Sequence, residues 1–210
     1  MRELMMKKDL AGIREALTKN PALANEGIAC FDTNPAKAHP LHRISDGVFN
    51  NLYSDEDGVE MAKIFLEFGA DINGGKLVEK KDTPLLAAAS LHAEKLGAFY
   101  IDQGADIHHG GCHGGTALHW AAWVGRDKLV KKLIEAGAEI NKRCIEFRGT
   151  PLLWAVHGYK SAGPKNQLNQ VECVRLLLAA GADKTIVNVE GAPAIEFLDE
   201  GDTEMRKLLQ

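Results

Sequence analysis

Leu129-Val130-Lys131-Lys132-Leu133-Ile134-Glu135-Ala136-Gly137-Ala138-Glu139 decides the fold of this 210-residue chain. Leu129, Val130, Leu133 and Ile134 fall at i, i+1, i+4 and i+5, the stripe of a core-facing helix. Gly137 follows the last apolar turn, where a helix ends on a residue that tolerates left-handed backbone. The same ending recurs as Gly69-Ala70-Asp71, Gly104-Ala105-Asp106 and Gly181-Ala182-Asp183, at glycine intervals of 35, 33 and 44 residues. A recurrence of that period marks a solenoid, whose units bury their apolar faces only against one another. Ile64, Phe65 and Leu66 precede Gly69, and Val174, Leu177 and Leu178 precede Gly181. Cys173 takes the place of Leu129 in that pattern and reads as a small core residue.

A second signature follows each glycine: His39-Pro40-Leu41-His42, Thr83-Pro84-Leu85-Leu86, Thr116-Ala117-Leu118-His119 and Thr150-Pro151-Leu152-Leu153, with a decayed form at Ala192-Pro193-Ala194-Ile195. Threonine caps a helix N-terminus, and proline suits the first helical position because its missing N–H has no intrahelical partner there. Small residues come next, as in Ala87-Ala88-Ala89 and Ala121-Ala122, so that two helices approach closely. The unit is turn, helix, short loop, helix, glycine.

These motifs resemble those of the ankyrin-repeat family. Thr116-Ala117-Leu118-His119-Trp120-Ala121 is similar to its Thr-Pro-Leu-His-x-Ala signature, and Gly69-Ala70-Asp71-Ile72-Asn73 to its Gly-Ala-Asp-x-Asn. The resemblance implies an all-α repeat solenoid of stacked helix-turn-helix units with short β-hairpin loops. Six units are expected: an N-terminal cap at 1–35, repeats at 36–79, 80–112, 113–146 and 147–188, and a C-terminal cap at 189–210. It also implies that the residue at His119 bonds to backbone and stabilises the turn.

Two repeats break the spacing. The motif leucine and its glycine lie 19 residues apart in Leu85 to Gly104 and Leu118 to Gly137, but 28 apart from Leu41 to Gly69 and 29 from Leu152 to Gly181. The insertions therefore fall between the two helices of their own repeats, in the acidic stretch 46–57 and the Gly/Pro-broken stretch 158–170. Long loops without structure of their own are either functional or tolerated.

All three tryptophans fall on first helices: Trp120 and Trp123 in one repeat, Trp154 in the next. Family geometry implies that first helices line a concave groove. Two positions three apart, which share a helix face, then read Arg43/Asp46, Ala87/Ser90, Trp120/Trp123 and Trp154/His157. The expected partner-binding residues are Trp120, Trp123, Trp154, His157, Tyr159, Arg43, Asp46 and Ser90, centred on the aromatic end. Tryptophan is the residue most enriched at binding hot spots. The competing reading is that the trio packs against itself and the second insertion.

His108-His109-Gly110-Gly111-Cys112-His113 places four potential metal ligands, His108, His109, Cys112 and His113, within six residues. Structural zinc pairs two separated ligand couples, and no second couple follows. The glycines read as turn chemistry, so no metal and no cofactor is expected.

The formal charge of −4 argues against nucleic acid, which selects a concentrated basic face. No run approaches the 18 apolar residues of a membrane span. The first residues lack the apolar core of an export signal, and the four cysteines have no paired spacing, so a reduced cytoplasmic setting is expected. No nucleophile–base pair, phosphate loop or paired-carboxylate motif assembles. The leading expectation is a non-catalytic, monomeric scaffold that binds another protein. The alternative is a small-molecule or metal-binding module using the tryptophans or the histidine-rich turn.

Overall fold

The computed structural model describes residues 1–31, 34–161 and 167–210. It is mainly helical and divides into two compact units, 1–78 with 82–106 and 79–81 with 107–210. The first unit contains α1 (Arg2–Met6), α2 (Leu10–Lys19), β1 (Ile28–Phe31), β2 (Asn34–Ala38), α3 (Pro40–Phe49), α4 (Asp55–Glu67), α5 (Pro84–Ser90) and α6 (Glu94–Asp102). The second contains α7 (Ala117–Trp123), α8 (Asp127–Glu135), α9 (Pro151–Ser161), α10 (Gln167–Ala179) and α11 (Thr203–Leu209). Within each unit consecutive helices pack as antiparallel pairs, α3/α4 and α5/α6, then α7/α8 and α9/α10.

The helix starts follow from their caps. Thr83 accepts a hydrogen bond from the Leu86 N–H and Thr150 from the Leu153 N–H, each before a proline at the first helical position. His39 takes the threonine's place before α3 and accepts from the Leu41 N–H through Nδ1. Ser54 and Asp57 close a reciprocal capping box at the start of α4.

The Gly-Ala-acid ending has a physical reason at each of its residues. Gly69, Gly104, Gly137 and Gly181 hold φ between +82° and +91°. The alanine N–H then reaches back five residues: Ala70 to Phe65, Ala105 to Tyr100, Ala138 to Leu133 and Ala182 to Leu177. This is the six-to-one bond of a Schellman motif, which satisfies a carbonyl that the helix end leaves unpaired. The acid's own N–H is taken by an asparagine from the preceding repeat. Asp71 donates to Asn25 Oδ1 at 2.7 Å, Asp106 to Asn73 at 2.8 Å and Asp183 to Asn141 at 2.8 Å. Asn25 and Asn141 also donate to the carbonyls of Gly69 and Gly181.

The described residues of the insertions are mostly helix, not loop. Where α5 and α7 have 7 residues and α6 and α8 have 9, α3 has 10 and α4 has 13, while α9 has 11 and α10 has 13. Each pair of helices is longer by about one turn on both sides. Helices α3 and α4, extended together, keep their ends in register, so the added length still closes through a short connection. Residues 50–54 form it in the first case; residues 162–166, part of the second insertion, lie outside the described residues.

Only one β-hairpin is present among the described residues. Strands β1 and β2 pair antiparallel, with Ile28 opposite Ala38 and a bulge between Ala29 and Phe31. The other turns between repeats are irregular, apart from a single bridge between Val187 and Pro193.

Tyr100, Phe65, Met61 and Leu96 are fully buried in the first unit, and Tyr100 donates its hydroxyl to the Leu41 carbonyl at 2.8 Å. In the second, Leu118, Leu129, Leu133, Val174 and Leu177 are fully buried, and so is Cys173. Each such aliphatic side chain contributes roughly 1.5–3 kcal/mol by leaving water.

Candidate functional site

The tryptophans meet in the second unit. Trp154 on α9 is only 6% exposed, and its indole is wedged between Gly115 and Gly149. A Cβ at either glycine would stand 2.9 Å or 3.2 Å from the ring. Trp120 and Trp123, three apart on α7, strike that indole edge-on, with ring centroids at 5.0 Å and 5.8 Å. The same α7–α9 approach passes Gly158, where a Cβ would lie 1.9 Å from the Trp123 carbonyl oxygen. His157 stacks on Trp123 at 5.6 Å and 15°, and Phe197 leans on His157 at 4.7 Å.

These rings form the floor of a cavity of about 420 Å³. Phe147 and Val189, which also line it, are 48% and 57% exposed. Their backbone is tied together, since the Val189 N–H donates to the Phe147 carbonyl at 2.9 Å. Arg143 fixes both turns by donating to the carbonyls of Arg148 and Val187. His113, in left-handed backbone at φ +58°, faces Phe147 at 5.3 Å and contacts Glu146 at 2.6 Å. That contact holds the Glu146 carboxyl below its usual pKa.

One polar atom here has no partner. Trp120 Nε1 is buried and makes no hydrogen bond. An orphaned buried donor of this kind costs about 1–3 kcal/mol.

Beneath the floor, fully buried His119 contributes no surface. Its Nδ1 accepts from the Thr116 N–H at 3.1 Å, which leaves the ring proton on Nε2 for the carbonyls of Lys142 and Gly149. Burial lowers its pKa to about 4, against the pull of those carbonyls. Its ring edge meets Trp154 at 5.3 Å.

Of the residues expected to bind a partner, Trp120, Trp123, Trp154 and His157 come together at this cavity. Tyr159 does not join them. Two residues beyond His157 on α9 it has turned through about 200°, and its hydroxyl bonds to Asp202. Arg43, Asp46 and Ser90 lie in the first unit. Arg43 pairs with Asp46 and donates to the carbonyls of Ile28 and Ala36, which fastens α3 to the hairpin. Both line a separate cavity of about 370 Å³ with Met5 and Tyr53. The Ser90 hydroxyl donates within α5 to Ala87.

The histidine-rich turn is dispersed by other partners. His108 occupies the place of the stapling asparagine and contacts Glu139 at 3.4 Å. His109 meets the Lys81 carbonyl at 2.9 Å, His113 faces the cavity, and Cys112 is half-buried. Among the described residues no three potential ligands converge on a point.

Phe147, Phe197, Val189 and Glu190 were not anticipated from sequence. Their one sequence signal is an aromatic between charges, Glu146-Phe147-Arg148, in a turn that has no core to fill.

Comparison with known proteins agrees with this architecture. A family model described as Ankyrin repeats (3 copies) matches residues 52–144, and one described as Ankyrin repeat matches residues 149–189. Palmitoyltransferase Hip14 of Drosophila melanogaster is 32% identical over 97 residues, 46% of this chain and 14% of that protein. The E3 ubiquitin-protein ligase XBAT32 of Arabidopsis thaliana is 26% identical over 212 residues, 92% of this chain and 38% of its own length. The nuclear factor NF-kappa-B p105 subunit of Gallus gallus is 27% identical over 128 residues, 59% of this chain and 12% of its own. The chain thus spans a minor part of the relatives it matches. With the two matched segments covering most of its length, and glycine-capped helix pairs stapled by asparagine in both units, the chain belongs to the ankyrin-repeat family.

Proposed function

We propose that the chain is a non-catalytic interaction module that binds another protein through the tryptophan-lined cavity of its second unit. The observation that carries this reading is the exposure of Phe147 and Val189 over one aromatic floor. Rigid aromatics around a buried centre are the usual anchors of protein recognition. The palmitoyltransferase activity named for some relatives is not carried over, because the match covers 14% of those proteins. Net charge of −4 supports a module that avoids nucleic acid, and no helix among the described residues is long and apolar enough to cross a membrane. We take it to act as a monomer in the cytoplasm.

The test is affinity capture from the source cells with the wild-type chain and with Phe147→Ala/Val189→Ser, which leaves the buried floor untouched. Loss of specific partners by the folded double variant supports the reading, and unchanged capture sinks it. A second reading rests on size. About 420 Å³ falls within the range of small-molecule pockets, and a low-mass species retained in native mass spectrometry of the purified chain would favour it. A metal-binding variant of that reading would instead show metal on elemental analysis.

A further inference from the structure

His39 stands between Ala38, the last residue of β2, and Pro40, the first of α3. The helices of the other repeats start on Thr83, Thr116 and Thr150, whose hydroxyls do not titrate. His39 caps its helix with a ring nitrogen instead, as Nδ1 accepts the Leu41 N–H at 3.3 Å. The other nitrogen fixes the tautomer. Nε2 lies 3.0 Å from Asn25 Oδ1, which also accepts from the Asp71 N–H at 2.7 Å. Asn25 donates through Nδ2 to the Gly69 carbonyl, so its oxygen is the atom that faces His39. Nε2 therefore carries the ring proton, and Nδ1 keeps the lone pair that caps α3. One neutral imidazole holds the helix start and orients the asparagine that staples the turn after α4.

We infer that His39 makes the junction of β2 and α3 an acid-released joint, in which protonation of Nδ1 uncaps α3 and loosens the hairpin leading into it. A proton on Nδ1 turns the acceptor into a donor aimed at the Leu41 N–H. It also places positive charge at a helix N-terminus, where the dipole opposes it. The hairpin follows the helix start because Arg43 links the two. Its N–H makes the first helical bond, to the His39 carbonyl, and its guanidinium holds the carbonyls of Ile28 and Ala36.

The charged groups facing His39 are Asp71, from the turn after α4, and His42, one turn along α3. Burial lowers the His39 pKa to about 4, His42 adds to that, and Asp71 opposes it. The turn that bears Asp71 supplies part of the cover, since a Cβ at Gly74 would stand 3.4 Å from the His39 Cβ. His42 is itself held below its ordinary value, mainly by burial. It faces Arg43 and Asp46 on α3 and Asp82 before α5. Opening the joint returns His39 to water and to a pKa near 6.5. Between the two values the open form binds more protons, so acid favours opening.

The test is amide hydrogen exchange of the full chain at pH 7 and pH 5, corrected for the intrinsic rate, with the His39 tautomer read from its ring-nitrogen resonances. The Nε2–H tautomer is expected at pH 7. The Leu41 amide should lose about twentyfold in protection between the two conditions, the ratio set by pKa values near 6.5 when open and about 4 when closed. The Leu86 amide, capped by Thr83 in the same unit, should change far less. His39→Thr, the residue that the other repeats use, should keep a cap and remove the pH dependence at position 41. An Nδ1–H tautomer in the wild type at pH 7 overturns the proposal without any variant. Parallel losses at Leu41 and Leu86 also overturn it, as does an unchanged pH profile in His39→Thr.

Discussion

Trp120 and Trp154 meet edge to face, with ring centroids 5.0 Å apart and planes at 82°. The pair divides labour that the sequence presents as uniform. Trp154 is nearly buried in its glycine slot, whereas Trp120 is only half-buried and lines the cavity. Trp154→Ala should therefore cost the second unit about 3–5 kcal/mol, as expected for deleting a buried aromatic. Trp123→Ala, at a half-exposed ring, should cost clearly less. All three tryptophans lie in the second unit, so fluorescence during urea denaturation reads that unit specifically. Equal losses for the two variants would contradict the division.

Gly158 marks where α9 crosses α7 at backbone contact. A methyl group there overlaps the Trp123 carbonyl, an atom fixed in its helix. Gly158→Ala should destabilise by about 1–3 kcal/mol, the usual cost of overpacking, and should move the Trp123 fluorescence. Gly137→Ala gives the contrasting case, because open space surrounds its Cβ position and only φ of +89° opposes the change. Its cost should be about 1–2 kcal/mol, from left-handed backbone alone. The Trp123 environment should stay unaltered in that variant.

The fold was legible because each mark in the repeat answers a local demand. A helix end needs left-handed backbone, so Gly137 is glycine whatever surrounds it. The floor of the site was legible for a similar reason, since Trp120, Trp123, Trp154 and His157 sit at fixed positions of first helices. The rim was not. Phe147 and Val189 reach the cavity through turns whose direction is set by Arg143 and by one backbone bond between them, none of which has a sequence period. Tyr159 lies outside the cavity because two residues along α9 turn it about 200° from His157, so nearness in sequence is not nearness on the helix face. The insertions read as loops because glycine and proline break their pattern, yet Ser54 and Asp57 already spell the cap of a lengthened α4.

Asparagine staples should account for a measurable share of cohesion between repeats. Asn141 makes two backbone bonds to the next repeat, to the Gly181 carbonyl at 3.1 Å and from the Asp183 N–H at 2.8 Å. Asn141→Ala should cost about 1–2 kcal/mol in the fluorescence transition, at roughly 1 kcal/mol net per bond. His108→Ala removes an exposed contact with Glu139 at the equivalent place, so its transition should shift less than that of Asn141→Ala. A large effect at His108 would show that the turn has a role beyond the staple.

Stability of the second unit should fall as pH drops from about 6.5 to about 4. An unfolded histidine takes up a proton near pH 6.5, whereas folded His119 resists until about 4, held neutral by burial. Between those values the unfolded state binds more protons, so each downward step favours unfolding, and the effect levels off below the folded value. The gap corresponds to about 3 kcal/mol at most. His39 adds the same sign in the first unit, where burial lowers its pKa to about 4 and Asp71 opposes the shift. His119→Gln keeps a side-chain acceptor for the Thr116 N–H, as glutamine does in a capping box, but removes the titration. Its urea midpoint should be lower at pH 7 and should fall less steeply towards pH 4. Parallel pH profiles for wild type and His119→Gln would assign the acid sensitivity elsewhere, first to the Glu146 carboxyl that His113 holds in its charged form.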